Sequence, residues 1–257
     1  MFLKQGWHLL RAIIMNFFNE GCPMMASGLA YISLLAIVPL MTVTLSILAV
    51  FPAFKGIGDQ IQKFIFDNFV TSSAQTIHQY LHAFMSQATK LSLPGTLSLL
   101  ITAVLMIFAI EYNFNKIWHI QKHRNAIQAF LMYWAVLTLA PILIGVGFFI
   151  TSTTLHIVIN KTITSIFPYL FTFLALTLLY TLVPNCKVKI RYAMPGAIIA
   201  TILFELAKHG FAFYITNFPT YTLIYGALAA IPIFLVWLYL SWLIVLFGAS
   251  VSHTLQQ

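Results

Sequence analysis

Long runs of apolar residues, separated by short polar segments, occupy most of the chain. Six of these runs are long enough to cross a bilayer as helices, because a transmembrane helix needs about 20 predominantly apolar residues. They cover approximately residues 24–54, 94–112, 128–153, 163–183, 193–217 and 227–251. The pattern therefore predicts an all-α membrane protein with six transmembrane helices.

The beginning of the chain has a different pattern. Leu3, Trp7, Leu10, Ile14 and Phe17 recur at helical spacing, with basic residues on the other side. This arrangement is typical of an amphipathic helix that lies in the headgroup plane, and it lacks the features of a secretory signal. We expect an N-terminal interfacial helix over residues 1–21, followed by one six-helix membrane domain over residues 22–257.

The longest polar interval, residues 55–92, also has helical periodicity. Its apolar positions predict a periplasmic insert of two short amphipathic helices. His78 and His82 are four residues apart, a spacing that can hold a metal on one helix face, but no HExxH pattern accompanies them. A solvated helix face explains them better, and the sequence indicates no metal site and no cofactor.

Composition and charge agree with a membrane location. Hydrophobic residues make up 61% of the 257 residues and charged residues only 7%, which leaves too little polar surface to cover a soluble globule. The chain has thirteen Lys and Arg residues and five Asp and Glu residues. Because the basic residues lie mostly in short loops beside the spans, rather than in one basic patch, we expect no nucleic-acid partner. Eight of these cations lie on the side of the termini and four on the other, which predicts cytoplasmic termini.

The predicted cytoplasmic loops carry a group of five basic residues: Lys122, Arg124, Lys187, Lys189 and Arg191. Such charges set the topology, and they can also recruit anionic lipid from the inner leaflet. Cys22 and Cys186 fall on the same predicted side without metal-binding spacing, so we expect free thiols there.

The candidate functional site is a pair of ionisable residues inside the fifth predicted span. Glu205 and Lys208 are three residues apart, and therefore share one helix face. A lone charge in a bilayer costs at least about 2.5 kcal/mol on insertion scales, so the two should pair or face a polar interior. They form either a polar substrate site or a structural ion pair that fixes the rotation of the helix.

Three tyrosines extend this candidate site: Tyr214, Tyr221 and Tyr225. Their hydroxyls, together with helices bent at Pro39, Pro141 and Pro232, could line a polar path between helices. An interfacial belt of aromatic residues is the alternative explanation for the tyrosines.

Several motifs resemble those of the YihY/BrkB family of bacterial inner-membrane proteins. They are Glu111 with Asn115-Lys116-Ile117-Trp118, Leu182-Val183-Pro184-Asn185, Phe204-Glu205-Leu206-Ala207-Lys208, and Tyr225-Gly226-Ala227-Leu228. The resemblance extends over residues 10–250 and implies a six-span protein of the inner membrane. Family members carry virulence-factor or ribonuclease labels, and some relatives have been linked to export of lipopolysaccharide precursors.

The ribonuclease label does not fit the residues of this chain. Phosphodiester cleavage needs clustered carboxylates or exposed histidines, whereas the five acids and eight histidines here are scattered. We therefore expect a protein that is not an enzyme, and favour a transporter or flippase of an anionic lipid or lipopolysaccharide precursor. The alternative is a non-transporting envelope scaffold or assembly protein. Expected partners are membrane lipids, a second copy of the chain or another envelope protein.

Overall fold

A computed structural model of the chain describes residues 2–50, 93–121, 124–125, 127–129, 131–132, 134, 161–217 and 226–256. Its helices in this part are α1 (Phe2–Asn19), α2 (Cys22–Val50), α3 (Leu93–Ile117), α4 (Lys161–Leu182), α5 (Ile190–Asn217) and α6 (Ala230–Gln256). A 3₁₀ turn, Gly226–Ala229, precedes α6. No strand occurs among the described residues, so the observed elements belong to the predicted all-α class.

The helices coincide with predicted elements wherever both can be compared. Helices α2 to α6 match the runs at 24–54, 94–112, 163–183, 193–217 and 227–251, with ends that differ by a few residues. The predicted insert at 55–92 lies outside the described residues, as does nearly all of the predicted span at 128–153. Helix α1 occupies the predicted interfacial segment, and its placement in the headgroup plane stays a prediction.

Two helices of the described part, α5 and α6, are long and apolar enough to cross a membrane. A third candidate is a bent pair in which Arg11–Asn19 and Cys22–Ile37 meet at 56°. Pro168–Leu182 forms a shorter apolar helical segment. The chain therefore contains at least two apolar helices of membrane length.

The break between α1 and α2 lies at Glu20 and Gly21. Gly21 has a φ of 72°, a left-handed conformation that glycine adopts without strain and that commonly ends a helix. Its carbonyl then accepts the backbone N–H groups of Met24 and Met25 at 3.0 and 3.1 Å, which starts α2. The direction of the chain thus changes within two residues.

Helices α5 and α6 pack closely through small residues. Ala193, Gly196, Ala197 and Ala200 are buried on α5, and Gly248, Ala249 and Ser252 are buried on α6. A Cβ atom added at Gly196 would collide with Ser252 Oγ and the Gly248 carbonyl. Small residues of this kind let helix backbones approach closely in membranes.

The chain divides into two compact units. The first comprises Met1–Leu34, Met106–Arg124 and Tyr169–Gln257, and the second comprises Leu35–Leu105 and Asn125–Pro168. All side-chain contacts discussed below belong to the first unit.

Within the first unit, several helix ends meet. Asn16 Nδ2 of α1 donates to Thr254 Oγ1 of α6 at 3.2 Å. Trp118 Nε1, just after α3, donates to Gln256 Oε1 at 3.3 Å, and Gln256 Nε2 donates to the carbonyl of Lys187 at 3.2 Å. These bonds bring the carboxyl ends of α1, α3 and α6 together with the loop that leads into α5.

The end of α3 differs from the sequence expectation. The predicted span ends near residue 112, but the helix continues to Ile117. Glu111, Phe114, Asn115, Ile117 and Trp118 are all buried. The helix extends past the predicted end of the span, and its polar side chains Glu111 and Asn115 bind Arg124 and the backbone N–H of Asn185.

Candidate functional site

Glu205 and Lys208 form an ion pair within α5, with Lys208 Nζ 2.5 Å from Glu205 Oε1. The contact is a charge pair rather than a regular hydrogen bond, because Glu205 Oε1 has no well-aligned donor among the described residues. The two side chains differ in access: that of Glu205 is 18% exposed and that of Lys208 is 45% exposed. Their charges compensate each other, while the side chain of Lys208 stays partly exposed.

Aromatic residues flank the pair on the side of α5 that packs against α6. The rings of Phe204 and Phe211 lie 5.8 and 5.1 Å from that of Trp237, measured between centroids. Because positions 204, 208 and 211 follow helical spacing, Lys208 shares the face of the two phenylalanines. That face is not closed around Lys208, since almost half of its side chain is exposed.

The three candidate tyrosines are only partly described. Tyr214 is exposed on α5, and its offset of six residues from Lys208 places it on a different face of the helix. Tyr221 and Tyr225 lie outside the described residues. The proposed role of the tyrosines in a polar path therefore stays a prediction.

Most of the described basic loop residues face outward. Lys187, Lys189 and Arg191 are exposed, and Lys122 lies outside the described residues. The guanidinium of Arg191 sits 4.6 Å above the ring of Tyr192, and its Nη2 donates to the Tyr192 hydroxyl at 2.6 Å. This loop presents its positive charge at the start of α5.

Arg124 behaves differently from the other loop cations because its side chain points inward. Its Nε lies 3.2 Å from Glu111 Oε1, and the two side chains are only 13% and 6% exposed. Its Nη2 also donates to the carbonyls of Leu182, Val183 and Pro184 at 2.9, 3.1 and 3.2 Å. Arg124 thereby caps the carboxyl end of α4, where helix carbonyls lack partners within the helix.

A second contact ties the same segments together. The backbone N–H of Asn185 donates to Asn115 Oδ1 at 2.7 Å. Glu111, Asn115 and the Leu182–Asn185 segment, which appear as separate motifs in the sequence, are thus neighbours in space. We call Glu111, Asn115 and Arg124, with the segment Leu182–Asn185, the Arg124 cluster.

His119 terminates α3 in an unusual backbone conformation, with a φ of 55°. Its N–H donates to the Lys116 carbonyl at 3.1 Å, and that of Ile120 donates to the Asn115 carbonyl at 2.8 Å. This is a Schellman motif in which histidine takes the position usually held by glycine. The imidazole Nε2 lies 3.1 Å from Glu20 Oε1, and the ring lies 5.4 Å from that of His253. Side-chain contacts therefore accompany the left-handed backbone.

The described part of the chain brings together no group of three or more His, Cys, Asp or Glu residues that could hold a metal ion. His78 and His82 lie outside the described residues.

Comparison with known proteins identifies the relatives of the chain. The virulence factor BrkB family matches residues 13–257. A UPF0761 membrane protein of Legionella pneumophila is 44% identical over 95% of this chain, and one of Pseudomonas aeruginosa is 43% identical over 96%. The chain spans only 61% and 62% of the length of these two relatives. No solved structure matches the chain.

A UPF0761 membrane protein of Vibrio campbellii is more similar in length. It is 48% identical over 90% of this chain, and the match covers 76% of the relative. Since the family also matches nearly every residue after the start of α1, the chain belongs to the virulence factor BrkB, or YihY/BrkB, family of membrane proteins.

Proposed function

We propose that the protein is a six-span protein of the bacterial inner membrane that transports or flips an anionic lipid or lipopolysaccharide precursor. Glu205 and Lys208 form its polar intramembrane site, and the substrate is an anionic headgroup that meets Lys208. The protein is not an enzyme in this proposal and uses no cofactor. Helix α1 lies in the interface, and both termini are cytoplasmic.

The exposure of Lys208 carries the proposal. A purely structural ion pair gains from being closed off by packing, whereas Lys208 is 45% exposed on the α5 face that also contacts Trp237. An ammonium has three N–H donors, so the contact with Glu205 leaves donors for a further polar partner, and a phosphate oxygen of a lipid headgroup is a suitable one. Glu205 holds the ammonium in place when no substrate is bound.

The position of the pair along α5 fits a site within the bilayer. Lys208 lies 17 residues after Arg191 in the same helix. At 1.5 Å per residue this separation is about 25 Å, within a hydrocarbon core about 30 Å thick. A headgroup from the leaflet on the Arg191 side that meets Lys208 has therefore crossed most of the hydrocarbon core.

The meeting of helix ends supports the proposed topology. The carboxyl ends of α3 and α6 contact the loop that leads into α5, as they should if these ends share one side of the membrane. Exposed Lys187, Lys189 and Arg191 lie in the same region. An excess of positive charge of this kind marks the cytoplasmic side.

Lipid translocation in proteoliposomes tests the proposal directly. Wild type is compared with Glu205→Gln, Lys208→Met and the double variant, using fluorescent anionic lipids and a lipid A precursor. Arg11→Gln is the matched control, because it removes an exposed cation of α1 that belongs neither to the candidate site nor to the basic loops. Each variant is first shown to be folded and inserted.

We expect translocation by wild type and by Arg11→Gln, and its loss in Lys208→Met. Background rates for every protein would contradict transport of these lipids and favour the non-transporting scaffold. Full activity of the double variant would contradict the assignment of the site to Glu205 and Lys208.

A further inference from the structure

A groove of about 280 Å³ lies between the start of α2 and the last turns of α3, away from the Glu205–Lys208 pair. The groove is lined by Gly21, just before α2, and by Met24, Met25, Gly28 and Ile32 of α2, at helical spacing. The stretch from the first to the last of these residues covers about 16 Å at 1.5 Å per residue. The groove is thus elongated along α2.

The two ends of this groove differ in polarity. Lys116 and Asn113 of α3 line it near the end of that helix, and the side chain of Lys116 is exposed. Asn113 Nδ2 donates to the Ala109 carbonyl at 2.7 Å, and this bond does not use the side-chain oxygen, which can act as an acceptor. Met25 and Ile32 provide the apolar wall farther along α2. Lys116 at one end and the apolar wall at the other thus complement the charged headgroup and the acyl chain of a lipid.

Among the described residues, no carboxylate lines the groove. Glu20, which precedes it in the chain, is directed to His119 Nε2 at 3.1 Å. An anion beside Lys116 is therefore not repelled by a carboxylate in the groove itself. The groove also has room, because a Cβ atom added at Gly21 or Gly28 would meet no other atom within 4 Å.

We propose that this groove binds one anionic phospholipid, with its phosphate at Lys116 and an acyl chain along Met25, Gly28 and Ile32. A glycerol hydroxyl of the headgroup donates to the Asn113 oxygen. This lipid is a resident of the fold, bound where α2 begins, and its binding does not depend on transport at Glu205 and Lys208.

Native mass spectrometry of the full chain in detergent tests the proposal with phosphatidylglycerol and zwitterionic phosphatidylethanolamine as probes. Lys116→Gln removes the charge, Lys116→Arg keeps it, and Gly28→Leu fills the groove with a residue that favours helix. Arg11→Gln is the control, because it removes an exposed cation of α1 that neither lines the groove nor belongs to the basic loops. Thermal unfolding without added lipid verifies that each variant is folded.

We expect phosphatidylglycerol to bind more tightly than phosphatidylethanolamine. Lys116→Gln should weaken the binding of phosphatidylglycerol about fivefold, because one lysine near an anionic surface contributes about this much. Gly28→Leu should weaken the binding of both lipids, while Lys116→Arg and Arg11→Gln should bind them as the wild type does. Equal losses in Lys116→Gln and Arg11→Gln would overturn the proposal, because attraction to the whole charged surface would then explain binding. If soluble glycerol 3-phosphate displaced the lipid at concentrations similar to that of the lipid itself, the lipid proposal would be overturned in favour of a site for a free phosphate group. Loss of a dimer in Gly28→Leu with unchanged lipid binding would assign the groove to a second copy of the chain.

Discussion

Arg124 Nε lies 3.2 Å from Glu111 Oε1, although the two residues belong to different segments around the end of α3. The guanidinium neutralises the only carboxylate among the buried residues of the described part, and also binds three carbonyls at the end of α4. Arg124 is suited to this double role because its planar group carries several donors in fixed directions. The Arg124 cluster therefore joins the ends of α3 and α4.

Removal of Arg124 should destabilise the protein strongly. The Arg124→Ala variant leaves Glu111 buried without its cation and the α4 carbonyls without their donor. Breaking one partner of a buried pair costs about 3 to 5 kcal/mol. We expect a marked drop in the thermal unfolding midpoint of the purified protein in detergent.

Two further variants make this test specific. Lys187→Ala removes an exposed cation from a nearby loop and should leave the midpoint almost unchanged. Arg124→Lys keeps the charge but cannot reach Glu111 and the carbonyls in the same way, so its midpoint should fall between those of wild type and Arg124→Ala. A midpoint for Arg124→Ala equal to that of Lys187→Ala would show that the cluster contributes little.

Local patterns in the sequence predict the helices well. A hydropathy pattern is a local signal, because it is formed by consecutive residues. The span predicted at 163–183 accordingly agrees closely with the observed helix Lys161–Leu182. The contact between Glu205 and Lys208 was likewise expected from their spacing within one helix, and it forms. Its role as a substrate site stays a prediction, because an ion pair alone does not identify a ligand.

Contacts between distant segments could not be predicted in the same way. Glu111 and Arg124 are separated by the end of a helix, so no periodicity relates them. Without that partner, a glutamate at the end of an apolar run looks like the membrane boundary, which is why α3 was expected to end near residue 112. Gly196 and Gly248 are small residues in two separate spans, and only the packing of α5 on α6 reveals that they meet.

The contact at Gly248 predicts a second effect on stability. A Cβ atom there would collide with the Tyr180 hydroxyl and lie 2.8 Å from the Gly196 carbonyl oxygen. The Tyr180 hydroxyl is held in place because it donates to the Val245 carbonyl at 2.9 Å. Gly248→Ala should therefore lower the free energy of unfolding by about 1 to 3 kcal/mol, as overpacking does.

Gly210→Ala is the matched control for this substitution. Gly210 is also helical, but an added Cβ atom would meet nothing within 4 Å. Alanine is favoured over glycine in a helix by about 0.5 to 1 kcal/mol, so this variant should be neutral or slightly more stable. Equal unfolding midpoints for the two variants would contradict the close approach of α5 and α6.

The Glu205–Lys208 pair makes a separate prediction about stability. Lys208→Met leaves the partly buried Glu205 without its cation and should cost roughly 1 to 3 kcal/mol, the penalty for a buried polar group without a partner. The double variant Glu205→Gln with Lys208→Met removes both charges and should recover part of that loss. Thermal unfolding of the four proteins gives the coupling between the two sites. Strictly additive effects would mean that the observed ion pair contributes nothing.

The two cysteines provide a test of topology with native residues. Cys186 is exposed in the loop between α4 and α5, whereas Cys22 is buried. A maleimide that cannot cross membranes should therefore label Cys186 in inverted vesicles and not in intact spheroplasts. Cys186→Ser should abolish the labelling. Labelling of Cys186 from outside the cell would contradict the proposed cytoplasmic position of this loop.

The same reaction should depend on pH in a defined direction. Desolvation by the surrounding protein raises the pKa of the Cys186 thiol above its ordinary value. The thiolate is the reactive form, so a raised pKa means that labelling stays slow near neutral pH and increases as the pH approaches that higher value. Rates measured in inverted vesicles, with glutathione as a reference thiol, should give a midpoint above that of glutathione. A midpoint at or below the reference would indicate that Cys186 is fully solvated or lies beside a stabilising cation such as Lys187, because either condition removes the effect of desolvation.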